Sequence, residues 1–186
     1  MFYPFGILIP PHQVTLKRSI MKEFLKSAGL LIFCIVLARF VMPASFTPLI
    51  AMAVFMPFIT NNKRLQLFLP ASLLLITDLA LGFYGTTMLF VYGTILLIGL
   101  LSRFLHKESI QALWVNSVLS VILWHAVVNF GVYVTGLGTQ SLAQTYLLAI
   151  PFDLKLMAST LLFSSIFYGS RYLVKESSYL GNKRIS

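Results

Sequence analysis

Six apolar stretches dominate this chain, at roughly 24–42, 46–60, 66–83, 88–105, 111–135 and 148–173. All but the second approach or exceed the ~20 apolar residues that one membrane crossing needs. In lipid no water is present to satisfy a backbone N–H or C=O, so runs of this kind span as helices, which satisfy those groups internally. Composition agrees: 58% of the residues are hydrophobic and 10% are charged, against roughly a quarter charged in ordinary globular chains. The expected fold is an all-α integral membrane protein, a bundle of about six transmembrane helices. The second stretch is short and holds Pro48 and Pro57, which points to a tilted, kinked or partly re-entrant segment. Residues 21–174 form the transmembrane domain in this reading, and 175–186 a basic cytoplasmic tail. Residues 1–20 are either a disordered extension or lie upstream of a natural start at Met21.

The loops set an orientation. Lys17, Arg18, Lys22 and Lys26 precede the first stretch, and Lys63 and Arg64 separate the second from the third. Arg103 and Lys107 follow the fourth, and Arg171, Lys175, Lys183 and Arg184 follow the sixth. With alternating spans, these twelve of the fourteen basic residues fall on one side. The opposite connections, 82–87 and 135–146, carry no charge. Cytoplasmic loops retain Lys and Arg, so both termini are expected in the cytoplasm. The surplus of basic residues is thereby explained by topology, and nucleic acid is not an expected partner.

With those twelve set aside, four charged residues remain inside the apolar stretches: Arg39, Asp78, Asp153 and Lys155. Alternating spans put all four in the outer half of the membrane. Ionisable groups at such depth cost a few kcal/mol each on insertion scales and normally face a cavity or a partner. Two of each sign in one layer suggest a polar chamber opening outward, in which Asp153 and Lys155 act as a pair. The plainer alternative is structural ion pairing, with Arg39 and Lys155 snorkelling to the headgroups. The layer is formally neutral, which favours a zwitterionic or weakly charged small-molecule ligand over a polyanion. The fifth stretch adds Asn116, Ser117, Ser120, Trp124, His125, Asn129 and Tyr133. His125 and Asn129 are four apart and share a helix face. With Trp124 they offer stacking and hydrogen bonds to a ligand, or else hydrogen bonds between helices.

Other chemistries lack their residues. There is no GxxxxGK[ST] loop, no HExxH and no GxSxG, so neither ATP hydrolysis by that route nor these hydrolase chemistries is encoded. The single cysteine, Cys34, excludes an intrachain disulfide and a Cys-based metal site. His12, His106 and His125 are dispersed, so no metal and no cofactor is expected, and the protein is not expected to be an enzyme.

A family resemblance runs through about 39–170. It is carried by Ser45-Phe46-Thr47-Pro48 with Ala51-Met52-Ala53, by Leu75-Ile76-Thr77-Asp78 before Gly82, and by Val91-Tyr92. Asn129-Phe130-Gly131-Val132-Tyr133, Tyr146 and Ala149-Ile150-Pro151-Phe152 continue it. Together these resemble DUF6580, a bacterial family described as transport proteins and similar to the substrate-binding S components of energy-coupling factor (ECF) transporters. The resemblance adds Tyr92 to the candidate ligand residues Asp78, Asn129, Arg39, Lys155, Asp153, His125 and Trp124. Lys155 and Thr160 stand where the family pattern favours an Asn and an Asp. It implies a multi-pass protein of the bacterial inner membrane that takes up a small organic nutrient such as a vitamin. Partner ATPases and an ECF-type transmembrane subunit would supply the energy. A membrane scaffold, and a stand-alone carrier with Asp78 as proton site, are the alternatives.

Overall fold

The computed structural model describes residues 35–43, 45–138 and 141–183, with side chains as far as Arg171. Helix α1 is described over 35–41. It is followed by α2 (Leu49–Ile59), α3 (Lys63–Leu81), α4 (Thr87–Phe104), α5 (Ile110–Val134) and α6 (Leu142–Lys183). The expected extension over 1–20 and the greater part of the first apolar stretch lie outside the described residues.

Among the described residues, four helices are long and apolar enough to cross a membrane: Lys63–Leu81, Thr87–Phe104, Ile110–Val134 and the Leu142–Arg171 part of α6. Most of each lies on the outside of the bundle, where Leu75, Ile76, Leu79, Leu89, Leu97, Ile122, Leu147 and Leu154 are exposed. Apolar side chains in such number on an outer surface suit hydrocarbon and not water. This is the surface of a helical membrane protein.

The short second stretch is the centre of the bundle. Helix α2 has 11 residues, about 16 Å at 1.5 Å per residue, half of a ~30 Å hydrocarbon core. It packs against α3, α4, α5 and α6, and every residue from Leu49 to Phe58 is buried. Pro57 lacks an N–H, but it lies in the last turn, where the Thr60 N–H still closes on the Met56 carbonyl at 3.1 Å. The short helix is thus enclosed by protein along its length and emerges at the exposed Asn61–Asn62 connection.

Local chemistry starts the longer helices. The Asn62 side chain accepts from the Arg64 and Leu65 N–H groups at 3.0 and 3.4 Å, an N-cap that satisfies two of the first-turn donors of α3. Ser109 caps α5 through the Ala112 N–H at 3.1 Å. Ser141 and Gln144 form a reciprocal capping box at α6, with N–H to Oε1 at 3.2 Å and N–H to Oγ at 3.4 Å. Because of that box, α6 begins six residues ahead of the apolar stretch expected at 148. Its helix also continues to Lys183, through most of the segment expected as a separate tail.

Candidate functional site

The charged residues of the apolar layer do not share one chamber. They separate into two clusters on different helix pairs, and one residue belongs to neither.

The first cluster gathers on Asp78, three residues from the end of α3. Its carboxylate is 1% exposed. Arg39 Nη2 on α1 donates to Oδ1 at 2.6 Å, and the hydroxyls of Tyr84 and Tyr92 donate to Oδ2 at 3.2 and 2.9 Å. One carboxylate therefore ties together α1, α3, the loop after α3 and α4. Low-dielectric surroundings strengthen each of these charge-assisted bonds. Burial first, then the negative charge and the hydrogen bond of Asp78, push the Tyr84 phenol well above its ordinary range, so Tyr84 stays a donor. Arg39 Nε is buried without a partner among the described residues. A void of about 10 Å³, shared with Thr47, Leu73 and Thr77, lies beside it, room for roughly one water.

The second cluster joins α5 to α6. His125 Nδ1 and Asp153 Oδ2 are 2.6 Å apart. The Asn129 amide donates to the same oxygen at 3.2 Å and to the His125 carbonyl at 2.9 Å. Nδ1 is taken as the protonated nitrogen, because it faces a carboxylate oxygen, which can only accept. The Tyr146 ring stands edge-on to His125, centroids 5.2 Å apart, and its hydroxyl is held by the Ala126 carbonyl at 2.6 Å. Beside the cluster an open groove of about 190 Å³ runs between α5 and α6, walled by Val121, Ile122, Ile150, Leu154 and Met157 with His125 and Asp153.

Two expectations are corrected. The structure contains two clusters in place of the outward chamber common to all four charges, because Arg39 reaches α3 while Asp153 faces α5. Nor do Asp153 and Lys155 pair. Residues two apart point to different sides of a helix, so Asp153 turns to His125 while Lys155 is exposed, its ammonium 5.9 Å from the Phe152 ring centroid. Trp124 is half-buried and packs against the core, on the core-facing side of α5. Tyr92 does meet Asp78, and His125 and Asn129 do share a face. Tyr84 was not foreseen; its signal is a hydroxyl-bearing aromatic in the charge-free connection six residues past Asp78.

Among the described residues no group of His, Cys, Asp and Glu forms a metal site. No curated protein and no solved structure matches the chain. A family model does match, over residues 19–182 and hence across both clusters, and the chain belongs to that family, DUF6580, a family of unknown function.

Proposed function

We propose that this protein is a membrane transport protein, a substrate-binding subunit for uptake of a small organic nutrient, and not an enzyme. In this reading it is a multi-pass protein of the bacterial inner membrane with six spans, α2 being the short central one, and both termini in the cytoplasm. The observation that carries it is the Arg39–Asp78 pair, sealed at the end of α3 beneath two tyrosine hydroxyls. An internal ion pair of this kind can be exchanged for a ligand of matching polarity. A zwitterion brings an anionic group for Arg39 and a cationic one for Asp78, so both buried charges stay compensated, as buried charges must. Tyr84, in the connecting loop, would move with the exchange. The apolar outer wall of the bundle supports docking on an ECF-type transmembrane subunit, with separate ATPases.

Mass spectrometry of small molecules released from mildly purified protein tests the reading. A zwitterionic or weakly charged compound that co-purifies, raises the unfolding temperature when added back, and is lost in Asp78→Asn is the expected result. Purified protein that carries no such compound, and does not respond to a nutrient panel, refutes it. The full complement of partners at Asp78 favours a second reading, a membrane scaffold whose charges only hold helices together. That reading predicts that Asp78→Asn lowers stability while no ligand response exists to be lost.

A further inference from the structure

The seam between α5 and α6 is polar far beyond the His125–Asp153 cluster. Just before α5, Glu108 takes Arg171 of α6 in two bonds of 2.6 and 3.2 Å. Trp114 Nε1 then donates to Ser165 Oγ at 3.0 Å, and Ser117 and Ser164 share a bond of 3.1 Å. The bonded positions run in antiparallel register: as one helix advances from 108 to 125, the other falls from 171 to 153. That register sets Ser120 and Thr160 at one level, one turn beyond Ser117–Ser164 and between it and the His125–Asp153 cluster.

At this level the hydrogen bonding is incomplete. Ser120 Oγ, Thr160 Oγ1 and Asn116 Oδ1 are buried without a partner among the described residues, in residues 0%, 0% and 2% exposed. Leaving a buried polar atom unpaired costs about 1–3 kcal/mol. Ordered water, which typically makes ~3 bonds in such places, removes that cost. Asn116 and Ser120 are four apart on one face of α5, and the register puts Thr160 at the level of Ser120 on α6, so a shared water would satisfy their oxygens.

Charge accounting separates the two buried acids. Asp78 already holds Arg39, and a proton added there leaves a cation uncompensated. Among the described residues Asp153 has only His125 as a basic partner. With a neutral imidazole this pair carries one negative charge, and one added proton makes it neutral overall. Its other neighbours add no fixed charge: Asn129 is on α5, and Tyr146 of α6 is hydrogen-bonded to a carbonyl. Lys155 is turned away toward Phe152. No partner of His125 Nε2 is found among the described residues.

We propose that the α5–α6 seam conducts protons, with His125–Asp153 as the loading site and the Glu108–Arg171 end as the exit. A proton arriving from solvent binds His125 Nε2, and the Nδ1 proton passes to Asp153 Oδ2, leaving the imidazole neutral. Asp153 then gives this proton to water held in the seam. Hops through that water and the hydroxyls of Thr160, Ser120, Ser117 and Ser164 carry it along the seam. Further water takes it past the Trp114–Ser165 bond, which cannot relay a proton, to Glu108, while the imidazole ring turns to present its N–H to Asp153 again. One proton enters and one leaves. The inference goes beyond the solute-binding reading and rests on different residues, so either can fail without the other.

The test is proton flux into liposomes holding the full chain and an entrapped pH indicator, with an inward proton gradient and valinomycin with potassium to balance charge. The wild-type protein is expected to acidify the lumen about tenfold faster than protein-free liposomes. Asp153→Asn should return the rate to the protein-free value. Thr160→Val keeps the side-chain shape, removes one unpartnered hydroxyl, and should slow the flux roughly threefold. It also serves if Asp153→Asn does not fold. A wild-type rate equal to that of protein-free liposomes, or a folded Asp153→Asn or Thr160→Val protein running at the wild-type rate, overturns the proposal.

Discussion

Arg39 and Asp78 lie 39 positions apart in the chain, and their guanidinium and carboxylate meet at 2.6 Å with the carboxylate 1% exposed. Removing one member of a buried pair leaves the other charge uncompensated, a loss of about 3–5 kcal/mol. Asp78→Leu and Arg39→Met are each expected to lower stability on that scale. The double variant should recover part of the loss, because no charge is then stranded. Recovery stays incomplete, since the hydroxyls of Tyr84 and Tyr92 lose their acceptor at about 1 kcal/mol each. Thermal unfolding of the four proteins in one detergent closes the cycle, and additive single losses would show that the contact contributes nothing.

Tyr84 should give this latch an alkaline limit. Burial, the charge of Asp78 and its hydrogen bond all raise the folded-state value of the phenol above that of the unfolded chain. A group so raised adds stability that is fully present below the unfolded value, about 10 for tyrosine, and lost as pH rises past it toward the folded value. The unfolding temperature should fall above about pH 10, as the phenol ionises in the unfolded chain while the folded protein keeps it protonated beside Asp78. Tyr84→Phe should start lower, lacking the 3.2 Å bond to Asp78, and should fall less steeply over that range. Parallel curves for the two proteins would remove Tyr84 as the origin.

Much of this was legible in the sequence, and the part that was not has a physical cause. Apolar run length locates α3, α4 and α5 closely, since crossing hydrocarbon imposes both length and composition. The charges left after the loops are accounted for name Arg39, Asp78 and Asp153, all three of them cluster members. Partner choice is tertiary and was not legible: Asp153 is read with Lys155 because they are neighbours in the chain, whereas helix geometry sends them to different sides. Asn116, Ser117 and Ser120 stand out as polar on an apolar helix, yet their counterparts on α6 emerge only from the antiparallel register. Tyr84 lies in an aperiodic connection, where no spacing signal reports which way a side chain turns.

Lys155 supplies a control on the site. It is exposed, and its recorded contact is with Phe152. Surface substitutions away from caps and buried networks usually change stability by no more than about 0.5 kcal/mol. Lys155→Ala is expected to stay within that margin, while His125→Gln and Asp153→Asn, which break a 2.6 Å contact inside the seam, each lose at least ~2 kcal/mol. Unfolding temperatures of the three variants beside the wild type decide it. A Lys155→Ala loss as large as that of Asp153→Asn would restore the basic residue to the cluster.

Gly131 sets how closely α4 and α5 approach. A β-carbon built at Gly131 would stand 2.4 Å from Phe90 Cγ and 2.6 Å from Phe90 Cβ. Atoms that close to the α4 backbone cannot swing aside as the tip of a long side chain would, so the helices themselves must part. Nearby, Thr87 and Thr135 join the same two helices through a 2.8 Å hydroxyl bond, which holds only while the spacing is kept. Small residues at such crossings let membrane helices pack closely, and overpacking typically costs about 1–3 kcal/mol. Gly131→Ala is therefore expected to destabilise the protein on that scale and to weaken the Thr87–Thr135 bond. Phe90→Ala vacates the space that the new methyl needs, so in the double variant the second substitution should cost less than it does alone. Unfolding free energies of the single and double variants measure that coupling, and a coupling indistinguishable from zero would mean that Phe90 is not what keeps residue 131 small.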